Sequence, residues 1–300
     1  MRCLSVYFLF FLGILLIQVT IALSSGSVSS FGNQNPSDLT GNEWFIDHVV
    51  IVVYDLNTSI EHYQNAGFTV VPGGVHPGGF SHNALIAFSD GSYLELYAPV
   101  DPALFGQMEQ LVDSGTFETA MAGSDAVQKR FMHHIAAGPG IADFALSAPG
   151  INLAFEVNRT GDYNLTMEGP IPMSRIRPDG FVLSWQVDVP VGQNATALPF
   201  LIRDVTPRSY RVPAAGNATV HANGATGIQN IQIGVGDPNA ITRLYTILLD
   251  SVPQNQVGDR VRYILKDSTI SVCATPDTIT KERSLNITLK TGNGSVADIL

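Results

Sequence analysis

One supersecondary pattern that returns along the chain constrains the fold more than any other sequence feature. Residues 45–53 are apolar and β-branched, which predicts a strand. A short helix capped at Asn57 or Thr58 follows to Ala66, with its apolar residues three apart, and three more strands end at Pro99. The order of elements is therefore β-α-β-β-β.

The same order appears a second time and begins a third time. Residues 102–137 are predicted to form a helical insertion, after which a strand, a helix and three strands follow, with Pro178-Asp179-Gly180 as a turn. A strand and a capped helix come after residue 227, and further strands follow them. The sequence predicts an α+β fold of repeated βαβββ modules, with a two-module domain over residues 44–205 and a partial third module over residues 206–300.

The N-terminus predicts an exported protein. One arginine precedes an unbroken apolar run and then small residues, which is typical of a signal peptide over residues 1–23. The alternative is an uncleaved membrane anchor, since the run is nearly long enough to span a bilayer. Residues 24–43 are rich in Ser, Gly, Asn and Gln and predict a disordered leader. We expect a secreted protein with no stable membrane insertion after signal cleavage.

Sequons agree with secretion, while cysteine content and charge exclude two other features. Seven Asn-x-Ser/Thr sequons predict a glycoprotein, at Asn57, Asn158, Asn164, Asn194, Asn217, Asn286 and Asn293. Cys3 leaves with the signal peptide, so the mature chain keeps Cys273 and no intrachain disulfide is predicted. The net charge of −10 argues against a nucleic-acid partner, because phosphate binding needs clustered Lys and Arg.

Several stretches of residues 45–208 carry a family resemblance. IDHVVIVVYDL and DGSYLELYAP open and close the first repeat, and they resemble the vicinal oxygen chelate superfamily of glyoxalases, extradiol dioxygenases and bleomycin-resistance proteins. GGVHPGGFSHNALIAF and PMSRIRPDGFVLSW are similar, more narrowly, to proteins with a glyoxalase-like domain. The resemblance implies paired modules whose curved mixed sheets form a cup around a divalent metal. It does not imply one reaction, since this fold hosts several chemistries.

The resemblance also implies metal ligands on the first and last strands of a module, where this chain carries His48 and Glu95. Strand alternation places Glu95 on one face with Tyr93 and Tyr97, as in a polar cup. In the second repeat Asp143 stands at the His48 position and is the third ligand expected. These donors suit Fe, Mn, Ni or Zn. The alternative is that His48 only ends a strand and Glu95 pairs with an arginine.

The later repeats do not reproduce the pair of His48 and Glu95. Phe200 or Leu201 falls near the Glu95 position of the second repeat, and Asn230 falls at the His48 position of the third. A full set of four ligands is therefore not repeated.

Two further groups are candidates for substrate binding. His82 and Asn83 follow a glycine-rich turn, where the backbone can approach a ligand closely, although such glycines also serve tight turns. Arg175 and Arg177 precede a turn and could clamp a substrate carboxylate through bidentate bonds. The alternative for the arginines is a solvated hairpin with ion pairs to nearby aspartates.

The expected function is that of a secreted glyoxalase-like protein that binds a divalent metal and acts on a small oxygen-rich molecule. Glu95 is the expected catalytic residue, and the reaction is that of a lyase or a dioxygenase. The alternative is a non-catalytic small-molecule binder with a degenerate metal site, so enzymatic activity is left open. The C-terminal segment either completes the cup or mediates formation of a homodimer.

Overall fold

The computed structural model describes residues 43–257, 260–275 and 283–292. The predicted signal peptide, the predicted leader up to residue 42 and the sequon at Asn293 lie outside these residues. Among the described helices, none is long and apolar enough to cross a membrane.

The first repeat forms a complete β-α-β-β-β module. Its elements are β1 (Phe45–Val52), α1 (Leu56–Asn65), β2 (Val71–Val75), β3 (Ser81–Ala87) and β4 (Tyr93–Pro99). The α1 helix begins earlier than the sequence predicts, because Asp55 is its N-cap and accepts a hydrogen bond from the Thr58 amide. Gly67 follows the helix with φ of 87°, a conformation that glycine adopts readily.

The second module follows three helices that form the predicted insertion. The insertion consists of α2 (Ala103–Asp113), α3 (Phe117–Ala120) and α4 (Ala126–Ala136). The module itself consists of β5 (Gly140–Ser147), α5 (Leu153–Gly161), β6 (Met167–Ile176), β7 (Val182–Pro190) and β8 (Phe200–Asp204), and a short helix, α6 (Arg208–Arg211), comes after it.

The C-terminal segment is a third β-α-β-β-β module with one strand added. Its elements are β9 (Ala225–Val235), α7 (Pro238–Leu249), β10 (Asn255–Val257), β11 (Arg260–Ile264), β12 (Thr269–Ala274) and β13 (Arg283–Thr291). Asp237 caps α7 by accepting a hydrogen bond from the Ala240 amide.

The strands form one closed barrel and one open sheet. The barrel has the order β1-β4-β3-β2-β6-β7-β8-β5, and the open sheet has the order β10-β11-β12-β9-β13. In the barrel, β1 pairs in parallel with β4 and antiparallel with β5. The third module repeats this arrangement, because β9 pairs in parallel with β12 and antiparallel with β13. The β13 strand therefore stands where the first strand of a further module would begin.

Two apolar clusters lie on opposite faces of the barrel strands. The larger one joins the outer faces of the barrel, the open sheet and the helices α1, α5 and α7. The second lies inside the cup, where Val50, Val52 and Tyr97 pack against the insertion through Phe105 and Phe131. The insertion therefore covers one end of the cup.

Candidate active site

A bulge in β1 brings two consecutive polar residues into one network. The pairing of β1 with β5 shifts between Ile46 and His48, so Asp47 is the extra residue of a β-bulge. The Nδ1 atom of His48 lies 2.7 Å from Asp47 Oδ1. The His48 ring stacks on Tyr93 with 4.6 Å between centroids. These contacts fix the ring and direct its Nε2 atom into the cup.

Glu95 is the carboxylate that faces His48 inside the cup. Its Oε2 atom lies 3.4 Å from His48 Nε2, and both side chains are buried. The other oxygen, Oε1, accepts a hydrogen bond from Asn83 Nδ2. The amide thereby sets the orientation of the Glu95 carboxylate on β4.

His76 joins this pair, although the sequence analysis does not include it among the candidate ligands. It follows β2 in the glycine-rich turn, and its Nε2 atom lies 3.8 Å from Glu95 Oε1. Its Nδ1 atom lies 3.0 Å from Ser81 Oγ. Burial, reinforced by the charge of Arg175, lowers the pKa of His76 although Glu95 opposes this, so the ring is neutral at pH 7. In the sequence, the feature that marks His76 is its place at the start of the His-Pro-Gly-Gly stretch.

The donor types of His48, His76 and Glu95 fit a divalent transition metal. Each imidazole has its Nδ1 atom held by an oxygen, from Asp47 or Ser81, and its Nε2 atom directed at Glu95, which is the usual support of a metal ligand. Two imidazoles and one carboxylate form a set that binds such metals. The spacing is still that of ion pairs, since no group of three His, Cys, Asp or Glu residues in the described ranges could hold an ion as it stands.

Asp47 is ionised and fully buried. Burial opposes its ionisation, but Arg208 and Arg211 outweigh burial and hold the pKa of Asp47 well below its usual range. Arg211 donates to both Asp47 oxygens at 3.0 Å and also binds Asp204. These two aspartates and two arginines compensate one another in charge. Arg211 also donates to Tyr93 Oη at 2.8 Å, so the α6 helix that carries the arginines lies against the cup.

Arg175 lies in the cup beside Asn83. It is 3% exposed and shares a strand face with Ile171 and Met173. Its Nη1 donates to Asn83 Oδ1 at 3.0 Å and its Nη2 donates to the Arg211 carbonyl at 3.2 Å. Its Nε is buried and has no hydrogen-bond partner among the residues that the structure describes.

Gly73, the extra residue at a bulge in β2, allows this strand to lie close to Asn83 and Arg175. A Cβ atom on Gly73 would lie 2.0 Å from Asn83 Oδ1 and 2.8 Å from Arg175 Nη1. Any side chain at this position would therefore displace the two groups. Gly73 thus serves the site through close approach of the β2 backbone.

His82 and Arg177 lie apart from this cluster. His82 alternates with Asn83 on β3 and is partly exposed near Asp55, whose charge partly opposes the lowering of the His82 pKa by burial. Arg177 donates to Asp179 and to the Tyr210 carbonyl near the surface. The structure thus brings together His48, Glu95, Asn83 and Arg175 of the predicted site residues, but not His82 or Arg177.

Asp143 anchors the insertion to the barrel. It pairs with Val50 in β1, two residue pairs away from His48 along the ladder. Arg130 binds both of its oxygens, at 2.5 and 2.7 Å, and His134 Nε2 lies 2.7 Å from Oδ2. These contacts occupy the carboxylate with partners from α4.

Strand registers identify the counterparts of the His48 and Glu95 positions. In β1 and β4, Glu95 pairs with the residue two after His48. In the second module, the residue two after Asp143 pairs with Phe200. In the third module, the residue two after Asn230 pairs with Ser271. Asn230 Oδ1 accepts a hydrogen bond from Ser271 Oγ at 2.9 Å. The second module thus has Asp143 and Phe200 at the positions of His48 and Glu95, and the third module has Asn230 and Ser271 there.

Aromatic side chains cover the cluster on the insertion side. Phe200 lies edge-on to His48 at 5.4 Å, and Phe131 of α4 lies 4.9 Å from the Tyr97 ring. His76 is the more exposed histidine, with 14% of its side chain accessible against 3% for His48. A ligand would therefore enter past His76 and the glycine-rich turn.

Comparisons with known proteins agree with this architecture. A protein-family model described as a glyoxalase-like domain matches residues 46–249, which include both barrel modules and extend to the end of α7. Comparison of the sequence with curated proteins gives no match.

Solved structures with a similar fold have low sequence identity. A hypothetical protein from Staphylococcus aureus is 15% identical over 80% of this chain and 88% of its own, with a TM-score of 0.57. Methylmalonyl-CoA epimerase from Mycobacterium tuberculosis is 19% identical over 54% of this chain and 85% of its own, with a TM-score of 0.33. A xylose isomerase-like TIM barrel/4-hydroxyphenylpyruvate dioxygenase fusion protein is 12% identical over 86% of this chain and 39% of its own, with a TM-score of 0.45. At such an identity the likeness to the Staphylococcus aureus protein, the one of these three with a TM-score above 0.5, concerns the fold alone.

Proposed function

The chain belongs to the family of glyoxalase-like domains in the vicinal oxygen chelate superfamily, and we propose that it is a metal-dependent enzyme acting on a small oxygen-rich molecule. The observation that carries the proposal is the convergence of His48 and His76 on Glu95. Each histidine directs Nε2 at the carboxylate while an oxygen holds its Nδ1.

His48 and His76 would hold the metal through Nε2, and Glu95 through its carboxylate. A bound divalent ion would polarise oxygen atoms of a chelating substrate. Asn83 keeps Glu95 oriented. Burial raises the pKa of Tyr97 to about 12, so its phenol keeps its proton and can donate a hydrogen bond. Phe131 and Phe200 exclude water from the inner side of the site.

The donor set favours oxygenation over a lyase reaction. Two histidines with one carboxylate are typical of non-haem iron oxygenases. A lyase that moves protons between carbons needs a further base, and Phe200 occupies the position where a second carboxylate would mirror Glu95. We therefore propose a dioxygenase, with Glu95 as ligand and catalytic residue.

Metal analysis after anaerobic reconstitution with Fe(II), Mn(II), Ni(II) and Zn(II) tests the site. We expect the unmodified chain to keep the ion, and the variants His48→Ala, His76→Ala and Glu95→Gln to lose it. His62→Ala is the matched control, because His62 lies on the exposed face of α1. Equal metal content in all of these proteins would contradict the proposal.

Oxygen uptake with catechols then tests the reaction class, and its absence together with turnover of 2-oxoaldehydes would favour a lyase.

A non-catalytic binder is the second candidate function. Two observations favour it. The Asp143 carboxylate is already bound by Arg130 and His134. The apolar ring of Phe200 lies edge-on to His48. These contacts leave no free metal donor at the two described positions of the second module that correspond to His48 and Glu95. Ligand binding that persists in metal-free protein, with no turnover in loaded protein, would support this candidate.

We propose further that the protein is secreted and glycosylated. Six of the seven sequons lie in the described residues, and all six asparagines are exposed to solvent. Mass spectrometry of the protein from the medium of a eukaryotic host should give an N-terminus near residue 24 and a mass that falls on enzymatic removal of N-glycans. Protein that begins at Met1, or that carries no glycan, would contradict this proposal.

A further inference from the structure

We propose that Arg175 anchors a carboxylate of the ligand, so that the site takes small anions with an oxygen next to the carboxylate, such as 2-oxo or 2-hydroxy carboxylates. This proposal names the substrate class of the proposed metal site and rests on that function for its chelating half. The anchor itself depends only on Arg175 and its surroundings.

Arg175 is a buried cation held by neutral acceptors. Its hydrogen bonds go to the amide oxygen of Asn83 and to the main-chain carbonyl of Arg211. Among the described residues no carboxylate forms an ion pair with it, and its Nε has no partner. A guanidinium removed from water without a counter-ion is unfavourable. An anionic ligand would supply the missing partner.

The charges around the site leave Arg175 uncompensated once a metal binds. Asp47 and Asp204 are bound by Arg208 and Arg211 and form a closed set. Glu95 is then the remaining carboxylate near Arg175, and a divalent ion more than neutralises it. The loaded site is therefore positive, which complements a ligand that brings negative charge.

Asn83 sets the position of Arg175 relative to the metal donors. Its Nδ2 donates to Glu95 Oε1, and its Oδ1 accepts from Arg175 Nη1. One amide group thus separates the guanidinium from the carboxylate that would bind the metal. A ligand whose chelating oxygen is adjacent to a carboxylate matches this short separation, and Arg is suited to bind the carboxylate in a fixed geometry.

Calorimetric titration of Zn(II)-loaded protein with pyruvate tests the anchor, and methyl pyruvate is the uncharged probe, which keeps both carbonyl groups and adds one methyl group. We expect pyruvate to bind about tenfold or more tightly than its methyl ester, the effect of one charge-assisted contact. Arg175→Gln should abolish this preference and keep its metal. Arg177→Gln is the matched control, because Arg177 is bound to Asp179 near the surface, and it should bind pyruvate like the unmodified chain.

Equal affinity for pyruvate and methyl pyruvate in the unmodified chain would overturn the proposal, and so would full pyruvate binding by Arg175→Gln. The comparison of acid with ester in metal-free protein needs no variant and tests the anchor even if Arg175→Gln does not fold, because a bound Zn(II) ion would itself prefer the charged ligand. The same titration of metal-free protein separates the two proposals. A preference for the acid in metal-free protein supports the anchor even if the metal site is not confirmed. Metal binding without a preference for the acid supports the metal site and contradicts the anchor.

Discussion

At the scale of single residues, Asp47 shows how a strand can place two successive polar side chains in one site. Ordinary alternation would send Asp47 to the face opposite His48. The bulge changes this, and Asp47 then holds His48 Nδ1 on one side and Arg211 on the other. The sequence shows the Asp-His pair but not the bulge, because an extra residue is defined only by the partner strand.

Asp47→Asn should destabilise the protein by about 3–5 kcal/mol, because it leaves the buried Arg211 without a full counter-charge. It should also weaken metal binding about 10–100-fold, since Asp47 orients His48. Urea unfolding and metal titration measure the two effects. Asp179→Asn, at an exposed ion pair, is the control, and equal stability of the two variants would contradict the role of Asp47.

Asp188 is a buried carboxyl without a hydrogen-bond partner in the described structure. Burial, reinforced by the charge of Glu156, raises the pKa of Asp188 from 3.8 to about 7. The unfolded chain releases this proton near pH 4, whereas the folded chain keeps it until about pH 7. Asp188 therefore makes the folded state lose stability as the pH rises from 4 to 7 and contributes no further change above that.

Asp188→Asn should accordingly stabilise the protein at pH 8, by an amount on the order of 2–4 kcal/mol, and have little effect at pH 4. Thermal unfolding of both proteins between pH 4 and pH 8 measures the difference. A constant difference across this range would show that Asp188 ionises normally in the folded chain.

At the scale of elements, the insertion is attached to the barrel through one buried ion pair. Arg130 binds Asp143 and also donates to the carbonyls of Ala195 and Leu198, so α4 is joined to two parts of the second module. Burial of Asp143 opposes its ionisation, but Arg130 and then His134 outweigh burial and hold its pKa far below the usual range. The carboxylate therefore stays charged and bound to α4.

Arg130→Met should cost about 3–5 kcal/mol, because it leaves the Asp143 charge buried and incompletely compensated. The double variant Arg130→Met/Asp143→Leu should recover most of this loss, since apolar residues of similar volume can replace a buried pair. Urea unfolding of the two variants and of Asp143→Leu alone gives the coupling between the positions. Additive losses would mean that the pair does not act as a unit.

The order of elements could be predicted from the sequence because strands and helices have local patterns and local caps. His76 is a ligand candidate that the sequence places only in a turn, since its approach to Glu95 depends on barrel closure. His221 lies between helices and strands in a stretch of small and polar residues, which is typical of an exposed loop. It is buried in the structure, where its Nδ1 accepts from the Thr69 amide and its Nε2 lies 3.0 Å from the Ala87 carbonyl. Contacts between such distant residues leave no periodic signal.

At the scale of the whole molecule, the third module shares one apolar cluster with the barrel. Trp44 Nε1 donates to the Leu249 carbonyl at 3.1 Å, and Tyr245 Oη donates to the Ala197 carbonyl at 2.9 Å. Arg159 of α5 donates to the carbonyl of Leu248. Polar and apolar contacts thus cross residue 205, where the sequence predicts the two-module domain to end.

A chain ended at residue 205 should therefore not fold cooperatively. It would lose the partners of Trp44 and the two arginines that compensate Asp47. Urea unfolding followed by circular dichroism should show one transition for residues 43–300 and no cooperative transition for residues 43–205. A stable, cooperative short chain would show that the barrel is independent of the third module.

The three modules of one chain hold three different residue pairs at one equivalent place in the fold. His48 with Glu95, Asp143 with Phe200 and Asn230 with Ser271 all stand on a first strand and its parallel neighbour. The protein thus contains its own natural substitution series, in which backbone and register are kept while the chemistry changes. Exchanging the pairs between modules separates what the scaffold provides from what the side chains provide, within a single polypeptide.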